Sequence, residues 1–124
     1  MALQRARKPQ GDSAKQTSTR RRPKPSKDDL ERMVEEATVD ANGESEQVTG
    51  FYTMLENDLT LPFNTVVLGA QVTVERLDLT DDDHIVVVCR RGQQRQRLSI
   101  LDLRLPEPPP KGWEWIEAYR YWAQ

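Results

Sequence analysis

The sequence has few of the residues on which disulfide-stabilised, membrane-spanning or transition-metal proteins depend. It contains one cysteine, Cys89, and one histidine, His84. A single cysteine cannot form an intramolecular disulfide, which is typical of a reducing, intracellular setting. No apolar run approaches the roughly 18 residues of a membrane span, and the N-terminus lacks the apolar core of a secretory signal. We therefore expect a soluble, cytoplasmic protein.

The same scarcity argues against catalysis. His84 and Cys89 are five residues apart in one predicted strand, so their side chains point to opposite faces and cannot act as base and nucleophile. Transition-metal sites built from histidine and cysteine lack ligands. No GxSxG, Walker, GxGxxG, HExxH or EF-hand spacing occurs in the chain. We predict a protein that is not an enzyme.

The two signs of charge are segregated along the chain. Residues 1–27 hold nine Lys or Arg against Asp12 alone, a charge of +8, whereas the rest holds nine basic and nineteen acidic residues, a charge of −10. The first segment is poor in apolar residues, so we predict a disordered basic tail. Its Arg20–Lys27 run could bind an anionic partner through phosphate contacts. The alternatives are a solvated linker, a tail folded back on the acidic body, or a transit peptide.

Two amphipathic helices are predicted between residues 28 and 60. The first runs from Asp28 to Ala41, capped by Ser26 or by Asp28 itself. The second runs from Glu44 to Asp58 and ends before Pro62. Its apolar stripe has helical spacing and consists of Val48, Phe51, Tyr52, Leu55 and Leu59.

From residue 63 to residue 105 the apolar period changes to that of strands. Four or five short strands are predicted, of which four have bounds: Val66–Leu68, Gln71–Leu79, Ile85–Cys89 and Arg95–Leu101. The second strand changes phase, which indicates a bulge or bend near Glu75 and Arg76. We predict a small, curved, antiparallel SH3-like β-barrel.

The C-terminal part adds a proline-rich linker over residues 106–112 and an aromatic helix over residues 113–124. Trp115, Ile116, Tyr119 and Trp122 recur on one face of that helix, which should pack back on the body. Together these elements predict one α+β domain over residues 28–124.

Clustered acids are the strongest functional signal. Calcium takes six to eight oxygen ligands, largely from carboxylates. Glu46 and Glu56 are ten residues apart on one predicted helix, about 15 Å along its axis, so they cannot share an ion. The acids instead suggest one site near the interhelix turn and one near the helix exit, either of which could recruit acids of a loop. The turn offers Asp40, Glu44 and Glu46, the exit Glu56 and Asp58, and the loop Asp81, Asp82 and Asp83. The alternative is that these acids form the solvated faces of surface helices.

A resemblance favours calcium. The chain resembles the CcbP-type calcium-binding proteins, a small acidic bacterial family, in a spaced set of residues over about 25 positions. The set is Val39-Asp40-Ala41, Glu46-Gln47, Gly50-Phe51-Tyr52, Leu55-Glu56, Leu59 and Pro62-Phe63. The resemblance implies two helices with a small sheet, and calcium bound by surface carboxylates without an EF-hand, as a buffer or sensor. It carries Asp40, Glu46, Glu56 and Asp58 over as candidate ligands.

The chain departs from the family pattern at two acidic positions. It has Ser45-Glu46 where the pattern has two glutamates, and Asn57 interrupts the acidic helix end. These exchanges lower or move negative charge, so the resemblance leaves open a weaker site or the loss of one site.

A second hypothesis is an SH3-like interaction module. Arg90 and Arg91 are predicted to face Arg95 and Arg97 across a hairpin, where like charges destabilise a sheet unless compensated. Glu75 and Asp78 on the neighbouring strand are the favoured compensators, and an anionic protein or nucleic acid is the alternative. The basic tail and the Trp113–Trp122 segment are further candidate partner-binding regions.

Overall fold

The computed structural model describes residues 24–124, so most of the predicted basic tail lies outside the described residues. The described chain contains three α-helices, four strands and one short 3-10 turn. They are α1 (Lys27–Thr38), α2 (Glu44–Asp58), β1 (Phe63–Val67), β2 (Ala70–Leu79), β3 (Ile85–Arg91), β4 (Gln94–Ser99), the 3-10 turn (Ile100–Asp102) and α3 (Glu114–Ala123). This arrangement confirms the predicted α+β class. None of the helices described is long and apolar enough to cross a membrane.

Helix α1 begins at a capping box. The Ser26 hydroxyl accepts a hydrogen bond from the Asp29 backbone N–H, and the Asp29 carboxylate accepts one from the Ser26 N–H. These contacts satisfy two backbone donors at the helix start. The hydrogen bonds from Arg32 and Ser26 hold the pKa of Asp29 below its ordinary value. The cap at Ser26 is thus confirmed, but α1 ends three residues earlier than predicted.

Helices α1 and α2 approach each other at Gly50. A Cβ atom built on Gly50 would overlap with the backbone carbonyl of Ala37, so only glycine permits this separation. Ala37 is itself buried. The glycine that costs α2 intrinsic helix propensity therefore sets how closely the two helices cross.

The four strands form an antiparallel meander in the order β1-β2-β3-β4. The register shifts between Val74 and Arg76, so Glu75 is the extra residue of a bulge. The bulge lets both Val74 and Leu77 face the core, as predicted. Within the described residues β1 and β4 are the edges of an open sheet, so the SH3-like barrel is not confirmed.

The segment after the 3-10 turn is tied to β1 by a side-chain hydrogen bond. Buried Thr65 donates its hydroxyl hydrogen bond to the carbonyl of Arg104, in the segment after the 3-10 turn. Among the described residues no backbone hydrogen bond joins this segment to β1, so the segment does not act as a closing strand.

The outer face of the sheet carries an ordered set of ion pairs. Glu75 bonds Arg90 at 2.6 Å and Arg95 at 2.9 Å, and Asp78 bonds Arg97 at 2.7 Å. Arg90 and Arg95 lie directly opposite each other in the ladder. The favoured compensators, Glu75 and Asp78, are therefore confirmed.

Helix α3 lies against α2 and closes the core. It buries Trp115, Ile116, Ala118 and Tyr119, which join the apolar residues of α2 and the sheet in one cluster. Phe51 of α2 contacts the rings of Tyr119 and Trp122, each with a centroid separation of 5.4 Å. The predicted aromatic helix thus packs on the body.

Two indole hydrogen bonds tie α3 to both ends of α2. Trp115 Nε1 donates to the Asp58 carboxylate at 2.7 Å, and Trp122 Nε1 donates to the Gln47 side chain at 3.0 Å. Gly112, just before α3, is held so close to the Asp58 and Leu59 backbone that a Cβ atom there would overlap with it. We call the Trp115–Asp58 and Trp122–Gln47 hydrogen bonds the indole clamp.

Candidate metal site

The turn between α1 and α2 holds Asp40 in an unusual backbone conformation. Asp40 has a φ of 65°, and Gly43 has a φ of 97°. Aspartate is among the few non-glycine residues that adopt the left-handed region readily. The chain thereby reverses within five residues, which places Asp40 near the first turns of α2.

Asp40 and Glu46 line one open hollow with a volume of about 300 Å³. We call it the Asp40 hollow. Its lining residues are Ala37, Val39, Asp40, Ala41, Glu46, Thr49, Gly50 and Thr53. The lining includes no lysine, arginine or histidine, and the polar atoms of its side chains are all oxygens. The hollow therefore presents only the hard oxygen donors that calcium prefers.

The two carboxylates of the hollow are largely available. Glu46 accepts one hydrogen bond, from the Asn42 backbone N–H at 2.8 Å, which fixes one of its oxygens toward the turn. Among the ion pairs of residues 24–124, none involves Asp40 or Glu46. The Thr49 and Thr53 hydroxyls donate to Ser45 and Thr49 carbonyls, and their oxygen lone pairs remain free to bind a cation.

The C-terminus of α1 adds negative potential to the hollow. The last carbonyls of a helix have no intrahelical partner and carry the negative end of the helix dipole. The last turn of α1 contains no basic residue, and only the Thr38 carbonyl is taken, by the Ala41 N–H at 3.0 Å. A cation is favoured at this end of α1.

The loop between β2 and β3 is brought to the N-terminus of α2. The Ser45 hydroxyl donates to the Asp83 carboxylate at 3.1 Å, across 38 residues of sequence. Asp83 also has a positive φ, 64°. Glu44 lies near the phenol of Tyr119. Burial is the main cause that raises the pKa of this phenol, and the negative charge of Glu44 raises it further. Of the three loop acids, Asp83 is thus the one placed beside the first turn of α2.

The other two loop acids point to solvent. Asp81 and Asp82 are exposed, and Asp82 lies 4.0 Å from the Nε2 atom of His84. They form no cluster with Asp83, because consecutive side chains diverge.

The structure does not bring Glu56 and Asp58 to one place. Residues two apart on a helix do not face each other. Glu56 lies beside the Tyr52 hydroxyl, whose pKa is raised by burial and then by the Glu56 carboxylate. Asp58 instead accepts the Trp115 indole N–H and lines a separate cavity with Lys111 and Glu114. Each of the two acids therefore offers one carboxylate at its own location.

A preformed cage of acidic side chains is absent from the described residues. No three Asp, Glu, His or Cys side chains in residues 24–124 group closely enough to hold a metal ion by themselves. The oxygen lining of the Asp40 hollow nevertheless fits calcium, which takes carbonyl, hydroxyl and water ligands along with carboxylates. Asp40 and Glu46 would supply the charge, and neutral oxygens would complete the shell.

Several features of the hollow have no local sequence signal. The threonines Thr49 and Thr53 are separated by one helical turn, a spacing that points to a shared helix face but not to a ligand role. The Ser45–Asp83 contact joins two distant segments. Only the amphipathic pattern, which docks α2 on the sheet, hints that the β2–β3 loop would meet this end of the helix.

Comparison with known proteins agrees with the chemistry of the hollow. A model of the CcbP family, described as calcium binding, matches residues 31–123. No curated protein and no solved structure matches the chain. Because the family match spans most of the sequence, the chain belongs to the CcbP-type calcium-binding family, and calcium is the ion assigned to it. The predicted family and ion are confirmed.

Proposed function

We propose that the protein binds calcium at the Asp40 hollow, without an EF-hand, as a cytoplasmic calcium buffer or sensor with no catalytic activity. The observation that carries this proposal is the lining of the hollow. Two carboxylates without ion-pair partners among the described residues line it beside the C-terminus of α1, and the other polar side chains of the lining are hydroxyls.

In this proposal Asp40 and Glu46 are the principal ligands. Glu44 lies in the first turn of α2, and the loop residue Asp83 accepts the Ser45 hydroxyl hydrogen bond there. Both acids strengthen the negative field at this end of the helix. Asp81 and Asp82 are exposed and contribute by long-range attraction, which salt screens.

The helix exit is the weaker candidate. Glu56 and Asp58 each bring a single carboxylate to a different place, and Asp58 is already engaged by the Trp115 indole. Lys111 and Glu114 line the same cavity as Asp58, so the formal charge of that lining is −1 (two acids, one base), against −2 for Asp40 and Glu46 in the hollow. A second ion at the exit would therefore bind less tightly than the ion in the hollow.

Calorimetric titration of the full-length protein with calcium tests the proposal. We expect saturable heat, and we expect the double substitution Asp40→Asn, Glu46→Gln to weaken binding by about tenfold or more, since both formal charges of the site are lost. The matched control is Asp102→Asn, Glu107→Gln, which removes two exposed carboxylates outside the hollow and should change affinity by less than about twofold.

Two results would contradict the proposal in different ways. Absence of heat at millimolar calcium would overturn calcium binding as the activity of this chain. Undiminished binding heat in the Asp40→Asn, Glu46→Gln double variant would exclude the Asp40 hollow as the calcium site. The helix exit would then be tested with Glu56→Gln and Asp58→Asn.

A further inference from the structure

Arg91 is the one arginine of the sheet without an acidic partner among the described residues. The other four, Arg76, Arg90, Arg95 and Arg97, all pair with Glu75 or Asp78 on the outer face. Arg91 continues the alternation of Ile85, Val87 and Cys89, so it lies on the opposite, core-facing side of β3. Its charge is therefore directed away from both compensating acids.

Arg91 borders an apolar groove of about 300 Å³ on this side of the sheet. The groove lies at the end where the β1–β2 and β3–β4 turns are found. Val67, Val72, Cys89 and Leu98 supply its apolar lining, and Leu68, Ala70, Arg91, Gln94, Arg95 and Gln96 complete it. We call it the Arg91 groove. An apolar channel with one uncompensated cation favours a ligand that is apolar in part and anionic at one end.

Leu68 makes the groove unusual. It is 99% exposed, and it occupies the first position of the two-residue β1–β2 turn with a φ of 51°, followed by Gly69 with a φ of 77°. Such turns favour Asn, Asp or Gly at this position. A leucine here is conformationally unfavourable and buries nothing in the isolated chain. Because it borders the groove, it enlarges the apolar surface that a partner would cover.

The groove runs beside a free strand edge. β4 is the last strand of the sheet, and its outer edge pairs with no other strand in the described part of the chain. Gln94, Gln96 and Leu98 alternate along β4 on the side of the groove. A peptide added to this edge would send every second side chain toward the groove.

We propose that β4 and the Arg91 groove bind an extended acidic peptide segment of a protein partner, which pairs with β4 as a fifth strand. An apolar side chain of the peptide fills the groove, and an acidic side chain two positions away meets Arg91. A second copy pairing through β4 is disfavoured, because it would bring the Arg95 and Arg97 side chains of two basic edges together. The proposal is independent of calcium binding.

The probe is the acetylated hexapeptide amide Thr-Val-Thr-Val-Thr-Glu, titrated into the ¹⁵N-labelled full-length protein. We expect saturable amide shifts concentrated in β4 and around Arg91. The matched peptide Thr-Val-Thr-Val-Glu-Thr, whose acid falls on the other face of the strand, should bind several-fold more weakly. Equal binding of the two peptides, or shifts located away from β4, would overturn the proposal.

Protein variants test the arginine and the leucine separately. Arg91→Gln should weaken binding of the first peptide by about tenfold, the contribution of one charge-assisted hydrogen bond. Arg76→Gln is the control, because Arg76 pairs with Asp78 on the outer face of β2 and does not line the groove, and it should change binding by less than about twofold. Leu68→Asn suits the turn conformation and so should preserve the fold. It should nevertheless weaken binding of the first peptide. Equal losses in Arg91→Gln and Arg76→Gln, or sedimentation showing self-association through the groove, would overturn the peptide site.

Discussion

Gly50 decides how closely the two N-terminal helices cross, because the Ala37 carbonyl fills the space that a side chain would need. Alanine has the better helix propensity by up to about 1 kcal/mol, but Gly50→Ala should lower the free energy of unfolding by about 1–3 kcal/mol through overpacking. Urea unfolding measures the loss. Asn57→Ala, at an exposed site of the same helix, should stay within about 0.5 kcal/mol. An unchanged or more stable Gly50→Ala protein would contradict the close crossing.

Single residues also show what local sequence rules can and cannot predict. The end of α2 and the cap at Ser26 follow from proline and capping rules, and both are confirmed. The end of α1 does not, because Val39 leaves the helix with a ψ of 134° and Asp40 follows with a left-handed φ, conformations that neither residue type requires. Glu56 and Asp58 look alike in sequence, yet one lies beside Tyr52 and the other bonds Trp115. Their difference comes from helix orientation and from a contact 57 residues away.

At the scale of elements, the bulge of β2 contains Glu75, whose carboxylate bonds two arginines. It gives Glu75 two arginine partners at once, and their hydrogen bonds, first from Arg90 and then from Arg95, hold the pKa of Glu75 below its ordinary 4.5. A carboxyl group whose pKa is lowered on folding stabilises the fold above its unfolded pKa. That contribution is lost as the pH falls through the folded value.

Glu75→Gln should therefore destabilise the protein most near neutral pH, and the difference from wild type should shrink as the pH falls below about 4.5. Denaturant unfolding at several pH values from 7 to 3 measures this. Glu107→Gln, at an exposed position, should show a smaller pH-dependent difference. A Glu75→Gln difference that stays constant over the range would mean that the ion pairs do not drive the pKa of Glu75.

Strand patterns in the sequence predicted the sheet only in part. The change of phase near Glu75 and Arg76 predicted the bulge, and the alternation of residues predicted the hairpin of β3 and β4. Barrel closure depends on whether β1 and β4 pair, and in the described residues they do not. The contact of β1 with the chain around Arg104, made by Thr65, joins residues 39 apart, and no periodicity in the sequence encodes such a contact.

At the scale of the whole molecule, α3 completes the core that the other elements leave open. Ending the chain after Gly112 would remove four buried residues of α3 and should abolish cooperative thermal unfolding, measured by circular dichroism. The milder Ile116→Ala change should cost about 2–5 kcal/mol. Removal of the exposed Ala123 and Gln124 alone should leave the transition nearly unchanged. Cooperative melting of the longer truncation would show that residues 1–112 suffice for a cooperative fold.

The indole clamp also makes the molecule its own spectroscopic probe. Trp115 is bonded to Asp58 at the end of α2, and Trp122 to Gln47, the residue after Glu46, near its start. Indole emission responds to the charge of its hydrogen-bond acceptor and of nearby groups. An ion bound at the helix exit would change the fluorescence emission of Trp115, and an ion bound in the Asp40 hollow would change that of Trp122. The intrinsic fluorescence of two single-tryptophan variants therefore distinguishes the two ends without any added label.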